Sequence, residues 1–213
     1  GIRDSSSSRG LGDVYKRQLP GGAALGHSGA TQIKERRVNT IGPDPNEPFK
    51  RLFFALPCAA SQGRAVSRWR SDLRLRSGKP VPAENFHLTL MFLGAVGVSQ
   101  VPAILEAAGR VAPLPRLDPL VLDRLEVWRR SQALVLVAQQ PPKALLRWVY
   151  QLQQALLPLG FMVDPREFRP HLTLMRDFRQ DVPEASLAPE FDWDMREFVL
   201  LSLIHISEPT RRR

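Results

Sequence analysis

Cysteine is nearly absent: Cys58 is the only one in 213 residues. No internal disulfide can form and no cysteine cluster can hold a metal, which fits a reducing, cytoplasmic setting. Long apolar runs are missing as well. None approaches the roughly 20 residues that a membrane-spanning helix needs, so no membrane partner is expected. The chain also lacks a glycine-rich phosphate loop, a cluster of residues at metal-ligand spacing, and a nucleophilic serine or cysteine in a recognisable setting. No cofactor and no metal are therefore expected. No segment has the pattern of a signal peptide.

The two ends carry a different kind of information. Residues 8–18 read SRGLGDVYKRQ, the translation of one strand of a transposase-type DNA sequencing adapter. Residues 201–211 read LSLIHISEPTR, the translation of the complementary strand. Two long matches to the two strands of one adapter point to a common origin. Residues 1–18 and 201–213 are thus expected to be non-native, and natural sequence to run from Leu19 to Leu200. Setting these ends aside removes two net positive charges from each, and the formal +9 falls to +5. That mild basicity suits a phosphate-bearing partner without identifying one. His205 drops out of any catalytic argument.

The remaining stretch of about 180 residues suits one compact domain or two small lobes. Residues 19–48 are rich in Gly, Pro, Ser and charge with no apolar period, and are expected to form a disordered leader. The folded domain is expected over 49–200. RLFFAL at 51–56 reads as a buried strand. Residues 60–76 read as an amphipathic helix with Val66, Trp69 and Leu73 on its apolar stripe. Residues 86–93 read as a strand closed by Gly94, and 100–111 as a second helix.

Strands are expected over 120–128 and 133–138, joined by a polar turn at Arg130 and Ser131. Leu145, Trp148, Leu152, Ala155, Leu156 and Leu159 form one helical stripe that ends at Gly160. A strand over 171–175 follows, and another begins at 198–200. Because Leu201, Leu203, Ile204 and Ile206 are apolar and β-compatible, that last strand is expected to run on past Leu200. Strands and helices do not alternate strictly, so the fold class is α+β rather than a doubly wound parallel sheet.

HLTLM occurs twice, at 87–91 and at 171–175. Side chains alternate faces along a strand, so His87 and Thr89 share one face and His171 and Thr173 share another, with leucines behind. Two strands of one design, each with an apolar back and a His-Thr front, imply duplicated lobes facing a shared cleft. In-line attack on phosphorus places the entering and leaving oxygens at opposite apices, so a proton must be taken on one side and given on the other. Histidine serves either role near neutral pH. Threonine hydroxyls about 7 Å along each strand can donate to the non-bridging oxygens. A lone histidine on a strand is more often structural, but core packing does not call for the same pentapeptide twice.

The motifs Asn85-Phe86-His87-Leu88-Thr89-Leu90-Met91-Phe92-Leu93-Gly94 and Arg169-Pro170-His171-Leu172-Thr173-Leu174-Met175-Arg176, after an opening strand Arg51–Leu56, resemble the 2H phosphoesterase superfamily. Within it the likeness is to the LigT/ThpR branch of RNA 2′,3′-cyclic phosphodiesterases, also called 2′-5′ RNA ligases. The resemblance implies two pseudo-symmetric lobes of antiparallel sheet with flanking helices around a central cleft, and a domain over 49–200 that is expected to be truncated at its C-terminal end, where the family has a further strand. It implies metal-independent opening of RNA 2′,3′-cyclic phosphates to 2′-phosphates, with His87 protonating the 3′ oxygen and His171 activating water. Thr89, Thr173 and Arg176 would hold the phosphate. By strict alternation Arg176, two residues after Leu174, would point away from Thr173 unless the strand bends or ends there.

The implied partners are RNA ends or cyclic nucleotides, and the implied state is a monomer. Two other readings stay open: 2′-5′ ligation in the same site, and a non-catalytic RNA-end binding module. Trp69, Trp128 and Trp148 are candidates for base stacking, with core packing the stronger reading for the two on helical stripes. Phe54 is a candidate for the cleft or, more simply, for the core. Arginines 64, 68, 70, 74 and 76 form either an RNA-facing stripe or the solvated side of a helix.

Overall fold

The structure, a computed structural model, describes residues 14–15, 47–114, 119–163 and 166–203. The leader expected over 19–48 lies outside the described residues apart from Glu47 and Pro48, as do most of residues 1–18 and all of 204–213. The strands are β1 (Val14–Tyr15), β2 (Phe49–Pro57), β3 (Lys79–Pro80), β4 (His87–Gly97), β5 (Leu120–Leu122), β6 (Arg124–Trp128), β7 (Ala133–Val137), β8 (His171–Arg176), β9 (Phe191–Trp193) and β10 (Val199–Leu203). The helices are α1 (Ala60–Asp72), α2 (Val101–Gly109) and α3 (Lys143–Leu156).

The large sheet runs β1-β10-β2-β4-β8-β7-β6, with β3 pairing β8, and every pairing is antiparallel. A short second sheet pairs β5 with β9. One half of the large sheet is β10-β2-β4 and the other is β6-β7-β8. They meet where Leu88 of β4 and Leu172 of β8 are Cα partners. The α+β reading with two related sheet lobes therefore describes this fold.

The core lies on one face of the sheet. Val66 and Trp69 of α1, Ile104 of α2, and Leu145, Trp148 and Leu152 of α3 pack there with Leu52, Phe54, Leu88, Leu90, Leu134, Leu136, Leu172 and Leu174. All four leucines of the two HLTL copies are at most 3 % exposed, so the apolar back of each motif is anchored in that core. The opposite face is left for the His-Thr fronts.

Several boundaries differ from the sequence expectation. The strand expected over 86–93 and closed by Gly94 runs from His87 to Gly97. The first helix ends at Asp72 and Arg74 takes φ 47°, although apolar residues continue to Leu75. Leu73 and Leu75 both pack against the core. Two residues apart on a helix they would point in nearly opposite directions, so the helix has to stop for both to reach it. The strand expected over 120–128 is two strands that break at Asp123, where Leu120–Leu122 leave the large sheet to pair with β9. β9 itself, three residues long, is too short to show a period. The last strand does run past Leu200: Leu201, Ser202 and Leu203 pair with Phe53, Leu52 and Arg51. The third helix ends at Leu156, short of the stripe expected up to Gly160; a 3₁₀ turn over Leu157–Leu159 carries the chain on, and Gly160 at φ 86° closes that turn.

Candidate active site

Each HLTLM copy opens a strand at the middle of the large sheet. The antiparallel bridge between Leu88 and Leu172 sets both leucines into the core and turns their neighbours to the other face. His87 then stands on the side of Thr173, and Thr89 on the side of His171. All four side chains are half-buried on one face.

Strict alternation fails after the threonines, and it fails in the same way twice. Thr89 is the partner of Ala55 and Met91 of Phe54, so Leu90 has no partner of its own. Thr173 is the partner of Val135 and Met175 of Leu134, so Leu174 likewise has none. Each is a β-bulge that leaves two successive apolar residues, Leu90-Met91 and Leu174-Met175, pointing into the core. The sixth residue of each copy is returned to the His-Thr face. In the first copy that residue is Phe92, in the second Arg176. The bulge resolves the parity problem at Arg176, whose charge lies near enough to His87 to lower its pKa. Phe92, 64 % exposed and 5.7 Å from the ring of Phe53, was not anticipated from the sequence. Its signal is the Leu-Met pair, where alternation allows only one apolar residue.

The two imidazoles are held alike. Nδ1 of His87 lies 2.7 Å from the carbonyl of Asn85, and Nδ1 of His171 lies 2.8 Å from the carbonyl of Arg169. A carbonyl can only accept, so each Nδ1 carries the proton and each neutral ring keeps its lone pair on Nε2, the atom left free for chemistry. An aromatic ring packs against each imidazole: Phe53 on His87 at 5.0 Å and Trp128 on His171 at 4.3 Å.

Burial pushes the pKa of His87 down. Its hydrogen bond to Asn85 opposes that, and the charges of Arg176 and His171 add to it. Burial also pushes His171 down, opposed by its bond to Arg169 and aided by the Arg169 charge. Both rings are therefore poised below the usual imidazole range. A bound anion would raise both.

The remaining candidates fall outside this face. Trp69 and Trp148 are buried in the core, their indole N–H groups donating to the carbonyls of Leu187 and Ala112 at 2.9 and 2.7 Å. Phe54 is core; its neighbour Phe53 is the residue that reaches the histidine. The arginine stripe lies on and just after α1, on the far side of the sheet. Arg70 is structural, donating to the carbonyls of Val81 and Leu174. Burial pushes the Cys58 thiol up to about 11, so it is protonated at neutral pH and no nucleophile. Among the described residues no three His, Cys, Asp or Glu are grouped as a metal would require, and no helix is long and apolar enough to cross a membrane.

The family model described as LigT like Phosphoesterase matches residues 56–137 and 135–202, and each matched segment contains one HLTLM copy. An RNA 2′,3′-cyclic phosphodiesterase of Escherichia coli (strain K12) is 35% identical over 158 residues, covering 73% of this chain and 87% of that protein. A protein of the same name from Geobacillus stearothermophilus is 30% identical over 137 residues, covering 62% of this chain and 43% of that protein. Among solved structures, a crystal structure of a phosphoesterase superposes with a TM-score of 0.64 at 34% identity, covering 77% of this chain and 91% of that one. E. coli LigT complexed with 3′-AMP superposes with a TM-score of 0.61 at 33% identity, covering 72% of this chain and 84% of that one.

Proposed function

The chain belongs to the LigT-like phosphoesterases of the 2H family, and on that footing we propose that it hydrolyses RNA 2′,3′-cyclic phosphate ends to 2′-phosphates with His87 and His171 as the proton-transfer pair. The observation that carries the reading is the pair itself: two imidazoles on one face, each with Nδ1 committed to a backbone carbonyl and Nε2 free. The curated relatives that act as RNA 2′,3′-cyclic phosphodiesterases supply the substrate class.

Water attacks phosphorus from the side of His171, whose Nε2 takes a proton from it. The bond from phosphorus to O3′ breaks on the opposite side, and His87 gives its Nε2 proton to that oxygen. The products are a free 3′-hydroxyl and a 2′-phosphate. His87 ends neutral and His171 protonated, and exchange with solvent resets both. The Thr89 and Thr173 hydroxyls donate to the non-bridging oxygens, and the Arg176 guanidinium balances their charge.

Protonation is coupled to binding. Both free imidazoles titrate low, and the phosphate monoanion favours their charged forms, so substrate helps to protonate the acid that will act on it. Phe92 offers an exposed aromatic face beside Phe53, the ring that packs on His87, and a base can stack there. The reading carries with it a monomer that works on RNA ends or cyclic nucleotides in the cytoplasm without a metal.

The test is turnover of adenosine 2′,3′-cyclic phosphate with the product followed by phosphorus NMR. A 2′-monophosphate signal is expected. A 3′-monophosphate would reverse the roles of the two lobes, and absence of turnover on the mononucleotide and on a cyclic-ended RNA would remove the reading.

A further inference from the structure

The two lobes match strand for strand, but their outer strands carry different residues. In the second lobe Val135 is the partner of Thr173, and β6 sets Glu126 beside Val135 and Trp128 beside Ala133. In the first lobe Ala55 is the partner of Thr89, and β10 sets Val199 beside Ala55 and Leu201 beside Phe53. Where the second lobe has the Glu126 carboxylate, the first has the aliphatic Val199; Leu201 falls in the stretch expected to be non-native and does not enter the comparison.

The carboxylate of Glu126 accepts from Nε1 of Trp128 at 3.0 Å and from Arg169 at 2.9 and 3.1 Å, with Arg124 at 3.7 Å behind it. Trp128 packs its ring on His171, Arg169 lies over that indole at 5.8 Å, and the Arg169 carbonyl accepts a hydrogen bond from His171 Nδ1–H. Both groups that fix the His171 ring are thus tied to one carboxylate.

We infer that Glu126 is a positioning residue for His171, acting through Trp128 and Arg169 to hold the ring in the Nε2-basic tautomer, a support that has no counterpart beside His87. This rests on the general-base role proposed above for His171. Burial pushes the Glu126 carboxyl up, but its bonds to Trp128 and Arg169 and the charges of Arg169 and Arg124 outweigh that, so it stays ionised. The Arg169 charge lowers the pKa of His171, and an ionised Glu126 in contact with Arg169 offsets part of that charge. Other charged or titratable groups that the strand register sets on this face are Arg124 beside Glu126, His87 across the seam, Arg176 farther along β8 with its partner Lys79, and Arg51 on β2.

A glutamine at 126 has one acceptor where the carboxylate has two, and no charge. With its oxygen at the Oε2 place it still accepts from Trp128, but its amide nitrogen then faces the Arg169 donor where Oε1 stood, and it cannot balance the Arg169 charge. Glu126→Gln is expected to lower kcat about tenfold with KM within about twofold, since the loss falls on proton transfer rather than on phosphate binding. The limb of the pH profile that reports the neutral base should move to lower pH, because Arg169 is left uncompensated. Glu126→Asp, which keeps the charge on a shorter arm, should recover part of kcat.

Nitrogen-15 NMR of the His171 ring in the free protein provides a readout independent of turnover. The wild type should show the Nδ1–H form, and Glu126→Gln a mixture. Unchanged kcat, pH limb and ring tautomer would overturn the inference, as would a fall in kcat without any change in limb or tautomer. Should Glu126→Gln fail to fold, Trp128→Phe keeps a ring on His171 while deleting the N–H, and the same criteria apply. If the wild type itself turns over no cyclic phosphate, the proposed reaction fails, while the NMR comparison still decides whether Glu126 positions the ring.

Discussion

Leu88 and Leu172 are Cα partners across the seam between β4 and β8, and they are the same position of the same motif. A pseudo-twofold axis must therefore pass between them. Everything on the working face follows from that: the two histidines, the two threonines and the two bulges are related by one operation. A reaction that needs a proton removed at one apex and supplied at the other is served by such symmetry. The chemical difference between the lobes then has to come from residues that break it, namely Phe92 against Arg176 and Val199 against Glu126.

His87→Ala and His171→Ala are each expected to lower turnover of a 2′,3′-cyclic nucleotide by at least about 10²-fold. Circular dichroism should show the fold intact, because both side chains project from the sheet face opposite the core. Activity in the wild type should survive EDTA. Near-normal turnover in either variant, or a requirement for added divalent metal, would point to a different site.

The pH dependence follows from the downward shifts at both rings. The productive form has one imidazole neutral and one protonated, so kcat/KM should be bell-shaped, with both limbs belonging to the coupled pair. In the free enzyme both groups titrate below the usual value of about 6.5, so the maximum should lie on the acid side of it. Binding of the anion raises both, and the kcat profile should be displaced upward relative to kcat/KM. Steady-state kinetics over pH 4 to about 9 tests the sign; a kcat/KM optimum above neutrality would contradict it.

Much of this was legible in the sequence, because the twin pentapeptide and the alternation of His-Leu-Thr-Leu decide which face each residue takes. The helical stripes of α1 and α3 were legible for the same reason, since burial of a face leaves a period. What alternation could not supply was anything beyond a break in it. The bulges at Leu90 and Leu174 invert the parity of the residues just after them, which hid Phe92 and made Arg176 look misdirected; a second irregularity at Leu93 shifts the register of β4 again. Contacts such as Phe53 with His87 or Glu126 with Arg169 join distant segments and leave no local pattern. Leu73 and Leu75 continued a plausible helix on paper, and only the competition for one core ended it.

Arg176 and Phe92 occupy equivalent places after the two bulges, and their substitutions should separate accordingly. Arg176→Gln removes a charged donor from the phosphate and is expected to cost about 1.5–3 kcal/mol in kcat/KM, roughly 10- to 100-fold. Thr89→Ala and Thr173→Ala should cost no more than that, as each removes one neutral donor. Phe92→Ala should act on KM for nucleotide substrates with little change in kcat, because stacking holds ground state and transition state alike. A Phe92→Ala variant that loses kcat at unchanged KM would assign the ring to support of Phe53 and His87 instead of to substrate.

The edge of the first lobe offers a test of a different kind. Along β10, Val199 and Leu201 turn toward Phe53 and Ala55, while Leu200 and Ser202 turn toward the core face. Ser202 is the partner of Leu52 and is 7 % exposed, so a hydroxyl stands at a position whose neighbours in the sheet are apolar. At so largely buried a position an apolar side chain in place of the hydroxyl gains about 0.8 kcal/mol for each methylene it buries. If residues 201–213 are not native to this fold, as their likeness to an adapter translation implies, no selection placed serine there, and β-propensity alone carries the strand through it. Ser202→Val should then raise stability by about 1 kcal/mol, read as a higher urea midpoint at unchanged slope, with turnover unaffected because the residue faces away from the histidines. Replacing residues 201–213 by the end of a full-length homologue should raise the midpoint further. An equal or lower midpoint for Ser202→Val would mean that the hydroxyl is accommodated as well as an apolar group, and that this stretch suits the sheet as it stands.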